Sequence, residues 1–154
     1  MTKDLVMNAD PRLSASQAQY DEQAEILTEL REMIDALNDA ANDVRSVRAQ
    51  VKDLKSRISK DDYPKVHEMA DEIIETLNGV EDQMVQPKQK TFQDVINFPN
   101  KLQVELYHIY GTIDGIEPPV TDGQKARVAD MKAKFEDLLL VCSSTYRPIK
   151  IELI

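Results

Sequence analysis

The sequence predicts an all-α protein, in which a long antiparallel helical hairpin is completed into a three- or four-helix bundle. Composition supports helices, because the 154 residues include only 4 glycines and 5% aromatic residues, a balance that suits β-sheet poorly. Apolar residues also recur at steps of three and four over most of the chain. A chain of this length can form one compact domain, which we place at residues 14–154 after a lead-in at 1–13.

The first predicted helix follows one of two capping-box patterns, Ser14 with Gln17 or Ser16 with Gln19. No proline or glycine occurs from there to Pro64, so we expect one helix of about 42 residues, or about 63 Å. The spacing of its apolar stripe is close to that of a heptad, and such a stripe must be covered by other helices or by a partner. The stripe consists of Tyr20, Ala24, Leu27, Leu30, Ile34, Leu37, Ala41, Val44, Val47, Val51, Leu54 and Ile58.

The second predicted helix begins near Pro64, a residue that is well tolerated in a first turn. Asp61 or Asp62 is expected to cap it, and Gly79 is expected to mark a close contact. The short connection predicts an antiparallel return along the first helix. The predicted stripe is Val66, Met69, Ile73, Leu77, Val80 and Met84.

Two further helices are predicted, the third starting near Pro99 and the fourth capped by Thr121 or Asp122. The tail "TYRPIKIELI" leaves two alternatives, a short strand that its alternating apolar residues would suit, or a final helical turn. The stripe of the third helix is Leu102, Leu106, Ile109 and Ile113, and that of the fourth is Val128, Met131, Phe135, Leu138 and Cys142.

The charge of the chain limits its partners. A formal net charge of −9 opposes generic binding to nucleic acid or to an anionic membrane surface. No apolar run approaches the roughly 20 residues that span a bilayer, and the first residues contain no signal-peptide core. We therefore expect no nucleic-acid partner and no membrane insertion.

Few residues suggest chemistry. Glu105 and His108 have the Glu-x-x-His spacing of di-iron bundles, but a full site needs a second such pair and two more glutamates. His67 and Asp71 could hold a divalent ion weakly, and for both pairs we favour solvated positions on helix faces. Cys142 has no basic residue nearby to form a thiolate and is expected to be a small core residue. We expect no cofactor and no catalytic site.

A basic stripe runs beside the apolar stripe of the first helix and consists of Arg45, Arg48, Lys52 and Lys55. It could bind a polyanion such as an acidic glycan. We favour pairing of charges across the hairpin, which is common beside an antiparallel seam. The second helix offers Asp71, Glu72, Glu75 and Asp82 as partners.

The stretch "VEDQMVQPKQKTFQDVINFPNKL", residues 80–102, interrupts the helical spacing. Three interpretations are open: a mobile tether, an active-site loop, and an ordered crossover between helices. We favour the crossover. Apolar side chains at Phe92, Val95, Ile96 and Phe98 could dock on the bundle. Gln86, Gln93 and Asn97 could satisfy its backbone groups.

Together with "NDVRSVRAQVKDL" and "PPVTDGQ", this stretch resembles part of a helical C-terminal region found in large bacterial sortilin-like, BNR-repeat (Asp-box) proteins, often labelled glycosyl hydrolases. The resemblance covers roughly residues 5–142. It implies a structural corner at Gln86, Phe92, Gln93, Asp94, Phe98 and Pro99. It also implies upstream β-propeller domains as partners, an extracellular or periplasmic location, and a hydrolase label that belongs to those propellers.

The function expected from these observations is a non-catalytic structural or interaction module, by the resemblance the C-terminal part of a secreted propeller protein, with a protein or glycan partner. The first alternative is a free-standing coiled-coil adaptor that dimerises through the first helix. A weaker alternative is a metal-binding carboxylate bundle, which depends on Glu105 and His108 alone.

Overall fold

The all-α prediction is confirmed. The computed structural model describes residues 11–152, with the side chains of Phe92 and of residues 143–152 outside the description. The described chain forms α1 (Gln17–Arg57), α2 (Pro64–Met84), a 3₁₀ helix (Phe92–Ile96), α3 (Leu102–Asp114) and α4 (Asp122–Glu152), with no strand among these residues. Most of the predicted lead-in at 1–13 lies outside the described residues.

The helix starts follow local sequence signals. Ser16 and Gln19 form the capping box of α1, with the Ser16 backbone N–H donating to Gln19 Oε1 at 2.8 Å. Thr121 caps α4, and the Gln124 side chain accepts from the Thr121 backbone N–H at 2.9 Å. The predicted cap of α2 is wrong: Tyr63 occupies the N-cap without a side-chain bond. Pro64 follows it at N1, where the missing N–H of proline costs nothing.

Polar contacts along α1 establish the direction of each partner helix. Towards its C-terminal end, α1 pairs Arg45 with Glu81 and Lys55 with Asp71, so α2 runs antiparallel to it. At the other end, Gln23 Nε2 donates to the carbonyl oxygen of Ile113 at 2.7 Å. The side chain of Gln103, early in α3, donates to that of Asn38 in the middle of α1, so α3 also runs antiparallel to α1.

These directions place α2 and α3 one after the other along the same long helix. The C-terminal half of α1 faces α2, its N-terminal half faces α3, and the crossover of residues 85–101 lies at the junction. The fourth helix runs parallel to α1, because Lys125 pairs with Glu22 and Lys132 with Glu29. It contacts α2 as well as α3. Through most of its length the bundle is therefore three helices thick.

The core follows the predicted stripes in the middle of the molecule and departs from them at the ends. Ala24 and Leu54, predicted in the α1 stripe, are exposed. The residues of the α3 stripe are all buried, as are those of the α4 stripe apart from the half-buried Phe135. The largest fully buried side chains are Leu30, Leu37, Val44, Leu77, Met84, Leu106, Ile113, Met131 and Cys142.

The first turns of α2 are rotated relative to the prediction. Val66 and Met69 are exposed, while His67 and Ala70 are buried against α1. The two ion pairs between α4 and α1 fix their register, which puts Glu152 near the level of Ala49. Beyond that level only α1 and α2 meet, so α2 buries a narrower face at the hairpin tip.

Two further expectations are settled by the backbone. Gly79 marks no close contact, since a Cβ built there meets nothing within 4 Å. The tail continues α4 as helix to Glu152 rather than forming a strand, and the last two residues lie outside the described part of the chain.

Candidate functional site

The basic stripe of α1 converges on one buried carboxylate. Glu81 is 6% exposed and accepts from Arg45 Nε at 2.6 Å and also from Arg48 Nη1. Arg48 Nη1 donates in addition to Asn78 Oδ1 at 2.8 Å. Both oxygens of Glu81 are therefore engaged by arginine, and the pair of arginines ties α1 to α2 at the middle of the molecule.

Electrostatics keep Glu81 ionised although it is buried. Burial alone would raise the pKa of its carboxyl group, but the hydrogen bonds from Arg45 and Arg48 outweigh that effect and hold the pKa below its ordinary value. The cluster is thus a clamp in which two arginines share one buried carboxylate and retain one positive charge in excess.

The rest of the stripe is divided. Lys55 pairs with Asp71 and lowers the pKa of that exposed carboxyl group through their hydrogen bond. Lys52 forms no ion pair with any described residue. Of the other acidic partners expected for α1, Asp82 pairs instead with Lys101 of the crossover at 2.9 Å.

Glu72 and Glu75 form no ion pair with any described side chain, and Glu81 binds the α1 arginines in their place. Glu81 was missed as a partner because an acid on an apolar face is usually excluded from a core. The sequence did contain a signal for this contact, because Arg45 and Arg48 are three residues apart on the facing helix.

The crossover is held by side-chain bonds to its own backbone. Gln86 Nε2 donates to the carbonyl oxygen of Pro99 at 3.2 Å, which joins the two ends of the segment. Asp94 Oδ2 accepts from the backbone N–H groups of Lys90 and Thr91 at 2.7 and 2.8 Å. These two bonds lower the pKa of the Asp94 carboxyl group and start the 3₁₀ helix.

Other details of the predicted corner are wrong. Val95 and Ile96 do not dock on the bundle, since they are 45% and 83% exposed. The expected backbone bonds of Gln93 and Asn97 are made by a different amide, Gln89, whose Nε2 donates to the carbonyl oxygen of Phe98 at 2.9 Å.

Phe98 is half-buried, with the Lys88 ammonium 6.0 Å from its ring centroid, and the Phe92 side chain lies outside the description. Among the described side chains of the crossover, Val85 is buried in the core and polar bonds join the backbone of the later residues.

The residues of the two candidate metal pairs have other surroundings than a metal site would need. Glu105 lies beside Arg127 and Lys134 at 3.2 and 3.8 Å, while His108 is exposed. His67 is buried rather than solvated, and its Nε2 lies 3.1 Å from the Ile58 carbonyl oxygen at the end of α1. Within residues 11–152, side chains beyond 142 excepted, no group of three or more histidine, cysteine or acidic residues could hold a metal ion.

Cys142 lies in the core at 1% exposure, and burial raises the pKa of its thiol. A thiol held in its neutral form in an apolar environment is a poor nucleophile. Its position matches the core role expected from the apolar stripe of α4.

Comparisons with protein families, curated proteins and solved structures returned no match for this chain. The resemblance to the sortilin-like, BNR-repeat proteins therefore stays a prediction from the sequence. None of the described helices carries an apolar stretch long enough to cross a membrane.

Proposed function

We propose that this chain is a non-catalytic helical module that acts as a rigid spacer or docking surface within a larger protein. The observation that carries the proposal is the way α1 is covered. Buried residues follow one another along α1 from Leu30 to Val51, across the junction where the coverage passes from α3 to α2. A helix that is packed on both sides of such a junction resists bending, because bending would expose its apolar stripe.

The parent protein is, by the sequence resemblance, a secreted β-propeller protein of which this module is the C-terminal part. Upstream propeller domains would then be its partners, and the location would be extracellular or periplasmic. The coding sequence upstream of this chain tests that part: propeller repeats of the Asp-box type support it, and a frame without them contradicts it.

Rigidity is tested by pulsed electron spin resonance on spin labels at the exposed positions Asp21 and Ser56, which are 35 residues apart on α1. At a rise of 1.5 Å per residue, we expect one narrow distribution of distances centred at about 52 Å. Cys142 is buried and should not react with the label, and the unmutated chain serves as the labelling control. A broad or double distribution would contradict a rigid spacer.

A second candidate, a coiled-coil adaptor that dimerises through α1, is favoured by one observation. At the two-helix tip Leu54 is 40% exposed and Met69 is 61% exposed, so apolar surface is available beyond the end of α4. The central stripe of α1 is already covered within the chain, so a dimer that forms through α1 would use this tip.

Light scattering separates the two candidates. The spacer predicts a mass of 17.5 kDa that does not change with concentration, whereas the adaptor predicts twice that mass. If a dimer forms, Met69→Lys should dissociate it. Glu68→Lys, at an exposed neighbouring position, is the matched control and should leave the dimer intact if the apolar tip is the contact.

A further inference from the structure

A pocket of about 350 Å³ lies where α1, the start of α3 and the crossover meet. Its volume falls within the range of small-molecule sites. Ala41, Val85 and Pro87 provide an apolar floor. The other lining residues are polar, and all but one carry a primary amide: Asn38, Asn42, Arg45, Gln86, Gln89 and Gln103.

The glutamines form a wall of hydrogen-bond acceptors. Gln86 and Gln89 use their Nε2 groups on the carbonyl oxygens of Pro99 and Phe98. Because only an amide nitrogen can donate to a carbonyl oxygen, these bonds determine which way each amide is turned. The Oε1 of Gln86 has no hydrogen-bond partner among the described residues, but protein atoms enclose it. The Oε1 of the half-buried Gln89 also accepts from no described donor, so it is the oxygen that can accept from a ligand in the pocket.

The opposite wall, on α1, presents donors. Asn38 Oδ1 accepts from Gln103, and Asn42 Oδ1 accepts from Arg45 Nη1 at 3.5 Å. The Nδ2 groups of both asparagines have no acceptor within the described part of the chain. A group that fits between the two walls must accept from one side and donate to the other, as a hydroxyl does.

Charge argues for a neutral ligand. Arg45 is the one ionised group in the lining, and its Nε is paired with Glu81 at 2.6 Å. An anion would have to compete with that buried carboxylate, whereas hydroxyl groups can use the amides without disturbing the pair. The acidic glycan considered for the basic stripe therefore fits this pocket less well than an uncharged sugar.

We propose that this pocket binds a neutral saccharide unit, with the amides of α1 and the crossover bonding its hydroxyl groups and the apolar floor contacting its C–H groups. The inference goes beyond a spacer role, which needs no pocket. Among the described side chains no aromatic ring lines the pocket. Hydrogen bonds therefore carry the binding, and dissociation constants are expected in the millimolar range, as for other weak complexes.

The test is a nuclear magnetic resonance titration of the ¹⁵N-labelled chain that follows its side-chain amide signals. The probes are the methyl glycosides of glucose, galactose and mannose, with glucuronic acid and an N-acetylated dipeptide amide in parallel. We expect at least one neutral glycoside to saturate shifts at the Asn38, Asn42 and Gln89 amides. Glucuronic acid should bind no more tightly than the glucoside.

Asn42→Ala should weaken that binding by about threefold to tenfold, the equivalent of one hydrogen bond. The variant should fold, because Asn42 is exposed on a helix and alanine has a higher helix propensity than asparagine. Asn97→Ala is the matched control, because Asn97 is an exposed asparagine of the crossover that does not line the pocket. This variant should leave the affinity unchanged.

Four results would overturn the proposal. These are the absence of saturable shifts with every neutral glycoside, tighter binding of glucuronic acid, shifts produced by the dipeptide amide alone, and equal weakening by the two asparagine variants. The second would indicate an anion site at Arg45, and the third a peptide site. None of the four bears on the rigidity of the module, which the spin-label distances measure separately.

Discussion

Replacing Glu81 by glutamine should destabilise the fold far more than removing an exposed acid. The side chain of Glu81 is 8% exposed, and those of Arg48 and Arg45 are 20% and 45% exposed. Breaking a fully buried pair costs about 3–5 kcal/mol. The cost should be smaller here, because both arginines are partly exposed and water can solvate them once the carboxylate is gone. We therefore expect Glu81→Gln to lower the free energy of unfolding by about 2–3 kcal/mol at neutral pH.

The assay is urea unfolding followed by far-ultraviolet circular dichroism, at neutral pH and in acid. The folded-state pKa of Glu81 is lowered, so its contribution is present above the ordinary glutamate pKa of about 4.3. That contribution is lost as the pH falls through the lowered value. The difference in stability between the natural chain and Glu81→Gln should therefore shrink below about pH 4.

Asp53→Asn is the matched control, because Asp53 and Arg57 form an ion pair that is 55% and 72% exposed. It should change the free energy of unfolding by no more than about 0.5 kcal/mol. The reasoning is refuted if Glu81→Gln costs no more than this control, or if its cost is the same in acid as at neutral pH.

Four further substitutions test local features. Gly79→Ala should raise the free energy of unfolding by about 0.5–1 kcal/mol, whereas Gly115→Ala should bring no gain because its Cβ would lie 3.1 Å from the Gly111 carbonyl oxygen; urea unfolding measures both. Leu106→Ala should cost about 2–5 kcal/mol, since Leu106 is 0% exposed, and the melting temperature should fall accordingly. Asp94→Ala should speed amide hydrogen exchange at residues 90–98, while exchange in the centre of α1 stays unchanged; protection that persists at 90–98 would contradict the role given to this carboxylate.

The helices could be predicted well where one local signal determines the answer. The α3 stripe of Leu102, Leu106, Ile109 and Ile113 is correct because this short helix lies against α1 and α4 throughout and buries one regular face. Its boundaries and the caps of α1 and α4 follow from side chains within four residues of each end. Such short-range signals are fully contained in the sequence.

Errors occur where distant parts of the chain decide the outcome. Val66 and Met69 follow the same apolar spacing as Leu77, yet they are exposed because α4 does not extend to their level. Glu81 is buried only because two arginines more than 30 residues away neutralise it. In the crossover, Gln89 rather than Gln93 bonds the backbone, and nothing in the local spacing distinguishes these two glutamines.

The junction between α2 and α3 is the part of the fold on which a spacer role depends. Two helices that follow one another end to end could act as a hinge, but α1 and α4 both pass this junction without interruption. Met84 and Leu102, which flank the crossover, are 0% and 5% exposed, so opening a hinge there would bring buried apolar surface into water. The Glu81 clamp and the Gln86 bond to Pro99 lie at the same level. The crossover therefore closes the gap between two short helices, and the two long helices make the assembly one stiff unit.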